Sequence, residues 1–174
     1  MAHQINIENG RANVMVVGKP AWHQLGQVLA NPATAEQAIK EAGLNFAVDK
    51  RELYLADGTL VPNRFATVRA DTNKPLGVVS GRYEILQNVD AFKFFDAVVD
   101  SDEAVYHSAG VLGNGERVWV MAKLPEHISI GGIDDVNVYV TLLSGHDGKT
   151  GVYAFVHLER IVCNNTLQVA IREG

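Results

Sequence analysis

Short glycine-containing turns between runs of strand-forming residues constrain the fold of this chain more than any other feature. Asp-Gly and Asn-Gly pairs supply the positive φ angles that hairpin turns need. The three turns are Asp57-Gly58, Gly113-Asn114-Gly115-Glu116 and His146-Asp147-Gly148. Their flanking runs are residues 53–56 and 59–61, 105–112 and 117–124, and 136–144 and 150–156. The sequence therefore predicts three antiparallel hairpins.

The middle hairpin also shows the residue alternation that is typical of strands with two different faces. In its first strand, Val105, His107, Ala109 and Val111 are predicted to share one face. In its second strand, Val118, Val120, Ala122 and Leu124 are predicted to do the same.

Three helices are predicted from capping residues and apolar spacing. Thr34 and Gln37 have capping-box spacing, and Gly43 suits the end of that helix. The second helix is predicted to begin near Asn88 as its N-cap, with Ala91, Phe92, Phe95, Val98 and Val99 at helical spacing. The third is predicted from about residue 166, after Asn164 or Asn165, with Leu167, Ala170 and Ile171 facing inward. Because it stops at Gly174 without an evident end signal, we expect a C-terminal region to be missing.

Together these elements predict the α+β class: an antiparallel, hairpin-rich β-sheet with two or three packed helices. A length of 174 residues fits a single domain. We expect residues 1–30 to form an N-terminal arm of this domain. The Asn88 helix is predicted to pack on one face of the sheet through Phe92 and Phe95.

Composition excludes several classes of protein. Hydrophobic residues make up 47% and charged residues 20% of the chain, which argues against disorder. The single cysteine, Cys163, excludes an internal disulfide and a cysteine-built zinc or iron–sulfur site. No apolar run approaches the roughly 20 residues of a membrane span, and the polar N-terminus lacks the apolar core of a secretion signal. We therefore expect a cytoplasmic protein with no membrane partner.

The net charge of −5 is unevenly distributed along the chain. Residues 101–147 hold two basic and seven acidic residues, which accounts for the whole excess. A basic stretch precedes this segment and can form a separate face; solvated surface charges are the alternative interpretation. The residues of the basic stretch are Arg64, Arg69, Lys74, Arg82 and Lys93.

The residues that could carry catalysis form no standard motif. The HExxH, GxGxxG, GxxxxGK[ST] and GxSxG patterns are all missing from the sequence. His146, His157, Cys163 and Asn164 could form a Cys–His–Asn nucleophilic set, but a cysteine at an apolar strand end is more often buried packing. We therefore favour a protein without catalytic chemistry, cofactor or metal, and keep a small Cys/His hydrolase as an alternative.

Two further segments have both a structural and a functional interpretation. Asn164-Asn165-Thr166 caps a helix, or else presents backbone N–H groups to a phosphate beside Arg160. Trp22 anchors the N-terminal arm to the core, or else stacks on a base. Because Trp22 has no basic cluster around it in the sequence, the anchor is the favoured interpretation.

Four segments together resemble a known family, the phage/plasmid-like proteins that carry a domain of unknown function. After the initial Met1-Ala2-His3, they are residues 20–26 (PAWHQLG), 82–88 (RYEILQN) with 91–92 (AF), 115–120 (GERVWV), and 144–148 (SGHDG) with 160–167 (RIVCNNTL). The residues of these motifs singled out as candidates are Trp22, His23, Tyr83, Asn88, His146, Asp147, Gly148, Arg160, Cys163, Asn164 and Asn165. Gln24 stands where the family often has glycine, so an ordinary backbone conformation is expected there.

The resemblance implies a role in the DNA metabolism of phages, plasmids and integrative elements. The order of strands and the Asn88 helix is also similar to single-strand annealing recombination proteins, which assemble into rings around a basic groove. We therefore predict single-stranded DNA as the partner and a homo-oligomer, with a ring as its more specific form. A protein-interaction factor that acts on host or defence functions is the alternative, because an acidic face suits a protein partner.

The predicted nucleic-acid-binding residues follow from the basic stretch. Arg64 and Arg69 are five positions apart on one strand and should point to opposite faces. Arg82 and Lys93 are therefore the leading candidates, with Arg69 next. The others are Arg64, Lys74 and Arg160.

Overall fold

A computed structural model of the chain describes residues 3–101, 104–130, 134–158 and 160–173, with the side chains of residues 98–101, 126–130, 134–135 and 173 outside the description. The strands are β1 (Ile7–Glu8), β2 (Arg11–Ala12), β3 (Val14–Val17), β4 (Gln27–Leu29), β5 (Val48–Tyr54), β6 (Leu60–Arg69), β7 (Pro75–Ser80), β8 (Val105–Leu112), β9 (Arg117–Ile130), β10 (Asp134–Gly145) and β11 (Tyr153–His157). The helices are α1 (Ala35–Glu41), α2 (Asn88–Ser101) and α3 (Asn164–Glu173). The α+β class is confirmed.

A six-stranded sheet forms the centre of the molecule, in the order β11-β10-β9-β8-β3-β4. All its pairs are antiparallel except β3 with β4. The predicted middle and last hairpins are β8–β9 and β10–β11 of this sheet. Strands β3 and β4 come from the predicted N-terminal arm. Since Val14, Met15 and Val16 of β3 are fully buried, this part of the arm belongs to the core.

The first hairpin forms, but not in this sheet. Strands β5 and β6 flank Asp57-Gly58 and pair with β7 in a separate three-stranded antiparallel sheet. The prediction of one sheet that holds all three hairpins is therefore wrong. Strand β7 takes the second edge of β6, and this sheet packs against the larger one through buried side chains such as Val48 and Leu76.

Alternation along β9 gives the six-stranded sheet two apolar faces. Val118, Val120 and Ala122 face the side of α1 and α2, and Leu124 packs at its margin, as predicted. Trp119 and Met121 face α3. Helices α1 and α2 therefore pack on one face of the sheet and α3 packs on the other, and all three contribute residues to the core.

Helix α2 packs as predicted, through Phe92 and Phe95. Both rings are buried and lie against Tyr106, with ring centroids 5.8 and 6.0 Å away. The rest of its predicted apolar stripe, Val98 and Val99, lies outside the described side chains.

A register shift in β8 corrects the prediction for that strand. The pairing with β9 shifts between Tyr106 and Ser108, so His107 occupies a β-bulge. Tyr106 therefore joins Ala109 and Val111 on the α2 side, and Val105 is exposed. Strict alternation from Val105 fails because the bulge inserts one residue.

The helix ends partly follow the capping predictions. Thr34 and Gln37 form the predicted capping box at the start of α1. At the start of α2 the Gln87 carbonyl accepts a hydrogen bond from the Ala91 N–H. The N-cap of this helix is therefore Gln87, one residue before the predicted Asn88. In α3, Leu167 and Ala170 are buried, but Ile171 is exposed and its predicted inward position is wrong.

Candidate nucleic-acid interface

The exposed cations of the basic stretch do not form one continuous face. Arg64 lies opposite Ser80 in the β6–β7 pair, and Arg82 follows two residues later, so both lie at one end of the three-stranded sheet. Lys74 lies at the other end, next to Pro75. Lys93 is on the exposed side of α2, where its ammonium lies 3.1 Å from Asp90 Oδ1.

Arg69, by contrast, lies inside the protein. Its guanidinium forms 2.8 Å ion pairs with Glu8 Oε1 and Asp71 Oδ1 and stacks over the Phe46 ring at 4.0 Å. Arg64, five positions earlier on β6, is exposed, whereas Arg69 is buried. Arg69 therefore has a structural role in this fold and presents no charge to a phosphate backbone.

The His146-Asp147-Gly148 turn packs between the two sheets. His146 is fully buried; its N–H donates to Glu116 O, and its carbonyl accepts the Thr67 hydroxyl at 2.6 Å. Its Nε2 lies 2.9 Å from Asn88 Oδ1. Burial lowers the pKa of His146 to about 4, and the nearby Asp147 opposes this shift only in part.

Asp147 and Gly148 complete the turn. The Asp147 carboxylate accepts the backbone N–H groups of Lys149 and Thr150, at 2.8 and 2.7 Å. Burial raises the pKa of Asp147, but these hydrogen bonds outweigh burial and the net shift is downward. Gly148 has a φ of +71°, which favours glycine, and lies against Val78 and Val79 of β7.

Tyr83 and Asn88 hold the same region. The Tyr83 hydroxyl donates to Gly145 O at 2.8 Å. The Asn88 amide donates to Leu44 O and Phe46 O, so this side chain bonds inward rather than capping α2. These contacts account for the Tyr83, Asn88 and His146–Gly148 motif residues by structure alone.

The predicted Cys–His–Asn set is not assembled. His146 and His157 lie at opposite ends of the β10–β11 hairpin, because His157 faces Tyr139 and six residues of strand span about 20 Å. His157 Nε2 lies 2.8 Å from the Thr141 hydroxyl. Cys163 is fully buried in the apolar cluster under α3, with its Sγ 3.9 Å from Thr166 Oγ1.

Trp22 is on the surface, where 66% of the residue is exposed. Its ring contacts two histidines, with centroid distances of 4.7 Å to His3 and 5.4 Å to His23. The favoured interpretation, in which Trp22 pins the N-terminal arm to the core, is therefore wrong. The fold holds the indole outward on a support of two other rings.

His23 fixes the position of this cluster. Its Nδ1 accepts the Leu25 N–H at 3.0 Å, so the proton is on Nε2, which lies 3.2 Å from Val162 O. Burial lowers the pKa of His23 and favours this neutral form; the hydrogen bond to Val162 O opposes the shift in part, and His3 adds a smaller downward effect. The imidazole thus ties the turn that carries Trp22 to the segment before α3.

The backbone of this turn also departs from the expectation for Gln24. Gln24 has a φ of +56°, in the left-handed region, and its N–H donates to Ala21 O. The expected ordinary conformation is wrong because the tight turn needs this angle. A Cβ at Gly26 would overlap Val14, so the end of the turn lies directly on β3.

Arg160 and Asn164 bring the first and last motif segments together. The Arg160 guanidinium donates to Val17 O at 3.0 Å and Lys19 O at 2.7 Å. The Asn164 N–H donates to His3 O at 3.1 Å. Asn165, the next residue of this motif, is exposed. Two segments about 140 positions apart therefore share one surface, a relationship that no local sequence pattern shows.

Thr166, rather than either asparagine, holds the start of α3. Its hydroxyl oxygen accepts the N–H groups of Val162 and Cys163, at 2.9 and 3.2 Å. The Leu167 N–H donates to Cys163 O. Cys163 and Thr166 are therefore explained by the capping of this helix.

The comparison with protein-family models matches the domain of unknown function DUF932 over residues 75–174. The chain belongs to this family. The DUF932 match begins at β7 and includes the His146 turn and the α3 segment, whereas Trp22 and His23 precede it. No curated protein and no solved structure matches the chain.

The described part of this DUF932 protein contains neither a membrane-spanning helix nor a metal-binding cluster. No helix there is long and apolar enough to cross a membrane. No group of three or more His, Cys, Asp or Glu side chains there could hold a metal ion.

Proposed function

We propose that this protein binds single-stranded DNA on its α3 side, with Trp22 as a stacking platform. The observation that carries the proposal is the exposure of Trp22 on a support formed by His3 and His23. An indole held outward in this way loses hydrophobic stabilisation, which a stacked base would restore. Base–aromatic stacking contributes about 1–3 kcal/mol per base and tolerates any sequence.

Positive charge near Trp22 supports the same ligand. Lys19 is exposed three positions before Trp22, and its carbonyl is held by Arg160. Burial lowers the pKa of Arg160, with a smaller opposing effect of Tyr139. Lys19 thus offers a cation on the segment that carries Trp22, and cations with exposed aromatic rings are the combination that holds single-stranded nucleic acids.

The cellular role follows from the resemblance described above. We propose a cytoplasmic DNA-binding protein of a phage or plasmid, which acts in single-strand annealing or recombination without catalytic chemistry. Annealing requires a surface that holds phosphates and presents bases, and no nucleophile. A homo-oligomer, and its ring form, remain predictions that a particle-mass measurement with and without DNA tests.

Arg64 and Arg82 remain predicted phosphate ligands of a second surface. They lie at one end of the three-stranded sheet, which packs into the α2-side core through Val48 and Leu76, whereas the Trp22 turn is tied through His23 to Val162, just before α3. The two surfaces can therefore be tested separately. A protein-interaction role becomes the leading function if neither surface binds DNA.

The test measures the affinity for an oligothymidine of roughly 20 nucleotides and for a duplex, between roughly 50 and 200 mM salt. We expect tighter binding to the single strand, weaker at high salt. Trp22→Ala should weaken it roughly 5- to 150-fold, the equivalent of 1–3 kcal/mol. If Arg82→Glu with Lys93→Glu abolishes binding and Trp22→Ala has no effect, the interface is on the α2 side instead.

A further inference from the structure

An open groove of about 420 Å³ lies between α3 and the edge of the six-stranded sheet. Its floor includes Leu143, Tyr153 and Phe155, and Ile171 of α3 lines one side. Arg117 and Lys149 are also among its lining residues. The volume is in the range of pockets that hold a small ligand.

The groove exists because α3 covers only part of its face of the sheet. Leu167 and Ala170 of α3 belong to the same apolar cluster as Trp119 and Met121, in β9. Tyr153 lies opposite Leu143, so it projects from the same face further toward the sheet edge. There it remains 55% exposed.

The aromatic floor has the geometry of a stacking surface. Tyr153 and Phe155 are two positions apart on β11, so they share one face about 6.6 Å apart. Aromatic side chains on the face of a sheet stack two or three successive bases in sheet-based RNA-binding modules. An apolar ligand would need only this floor, but the cations beside it favour a ligand that is also negatively charged.

Arg117 and Lys149 supply that charge. The Arg117 guanidinium donates a hydrogen bond to the side-chain oxygen of Gln4 at 2.7 Å. The Lys149 side chain is exposed. Asp147 accepts the N–H groups of Lys149 and Thr150, and its carboxylate also interacts electrostatically with Arg117. Neither Arg117 nor Lys149 forms a salt bridge with another described residue, so both can contact a phosphate.

The groove and the Trp22 cluster are connected along the chain. His3 contacts Trp22, and the next residue, Gln4, contacts Arg117. His3 O also accepts the Asn164 N–H at the start of α3. The two aromatic surfaces thus lie on the same side of the molecule, joined by consecutive residues.

We infer that this groove is a nucleotide subsite that stacks two successive unpaired bases on Tyr153 and Phe155 and places their phosphates at Arg117 and Lys149. The inference rests on the proposed function and extends it from one platform to a track along α3. It assigns the β11–α3 surface a role that neither the basic stretch nor the family motifs indicated.

The structure offers closely matched control variants for the test. Tyr54 is 56% exposed on the three-stranded sheet, so Tyr54→Ala removes an equally exposed ring from another surface. Lys40→Glu controls in the same way for Lys149→Glu, because both side chains are exposed and Lys40 lies in the last turn of α1. Urea unfolding of each variant checks that it folds.

The experiment measures the oligothymidine affinity of these four variants across the same salt series. We expect Tyr153→Ala to weaken binding at least about fivefold and Lys149→Glu to lower the salt slope by about one, with both controls close to wild type. If the wild type binds but Tyr153→Ala and Lys149→Glu behave like their controls, the groove inference is overturned and the Trp22 proposal stands. A wild type that binds no oligothymidine overturns both.

Discussion

His146 Nε2 lies 2.9 Å from Asn88 Oδ1, in the interior between the two sheets. Because the Asn88 amide nitrogen donates to Leu44 O and Phe46 O, its oxygen is the acceptor and His146 carries its proton on Nε2. This one hydrogen bond joins the β10–β11 turn to the start of α2. A second proton would go to Nδ1, which is buried without a hydrogen-bond partner among the described residues, so burial disfavours the charged imidazolium.

The free energy of unfolding should therefore decrease as the pH is lowered, because of this histidine. Its pKa is lowered from 6.5 to about 4 by burial, so between those values the unfolded chain binds a proton that the native protein does not. Stability is fully present above about pH 6.5 and is lost as the pH falls towards 4, by about 3 kcal/mol. The measurement is urea unfolding of wild type and His146→Gln, whose amide can still donate. A pH dependence equal in the two proteins would contradict the assignment.

Adjacent phenylalanines in α2 test the packing of that helix. Phe95 is 1% exposed and contacts Tyr106, whereas Phe94 is 59% exposed. Phe95→Ala should lower the free energy of unfolding by about 3–5 kcal/mol, because it leaves a cavity. Phe94→Ala should change it by less than about 0.5 kcal/mol. Equal losses in chemical denaturation would mean that α2 packs through a different face.

A glycine pair tests the junction of the two sheets. A Cβ at Gly77 of β7 would overlap the Asp147 carbonyl oxygen. Gly77→Ala should therefore lower the free energy of unfolding by about 1–3 kcal/mol. At Gly151 a Cβ would make ordinary contacts with Tyr153, and Gly151→Ala should stay within about 1 kcal/mol of wild type. Thermal unfolding of the two variants gives the comparison. A Gly77→Ala protein as stable as Gly151→Ala would show that the sheets are further apart.

The buried thiol provides a test of the non-enzymatic interpretation. Cys163 is fully buried in an apolar cluster, so a thiol reagent should label it only as fast as the protein unfolds. Cys163→Ser should keep its DNA affinity and lose some stability, since it buries a hydroxyl. Rapid labelling of the native protein, or loss of activity in a folded Cys163→Ser variant, would favour the hydrolase alternative.

Local patterns predicted the secondary structure well. The hairpin turns, the capping box of α1 and the apolar faces of β9 and α2 all depend on residues close in sequence. The bulge at His107 was missed because it comes from the pairing of β8 with β9. The separate three-stranded sheet was missed because turn residues predict hairpins and do not show which sheet receives them.

The candidate site was less predictable for a similar reason. The exposure of Trp22 and the burial of Arg69 depend on contacts with residues 60–140 positions away, such as Glu8 with Arg69 and Val162 with His23. Charge counts along the chain could not separate a solvated arginine from one that is paired inside. The acid excess of residues 101–147 falls largely on positions outside the described side chains, while Glu116 and Asp147 bond within turns.

The most direct test of the account uses the fluorescence of its two tryptophans during titration with oligothymidine at low salt. Trp119 is buried and Trp22 is exposed, so a stacked base should quench Trp22. We predict quenching in the wild type that reverses at high salt, and its loss in Trp22→Phe, a variant that still binds by anisotropy through its remaining ring. Binding without any change in Trp22 fluorescence, or no binding at low salt, would contradict the account.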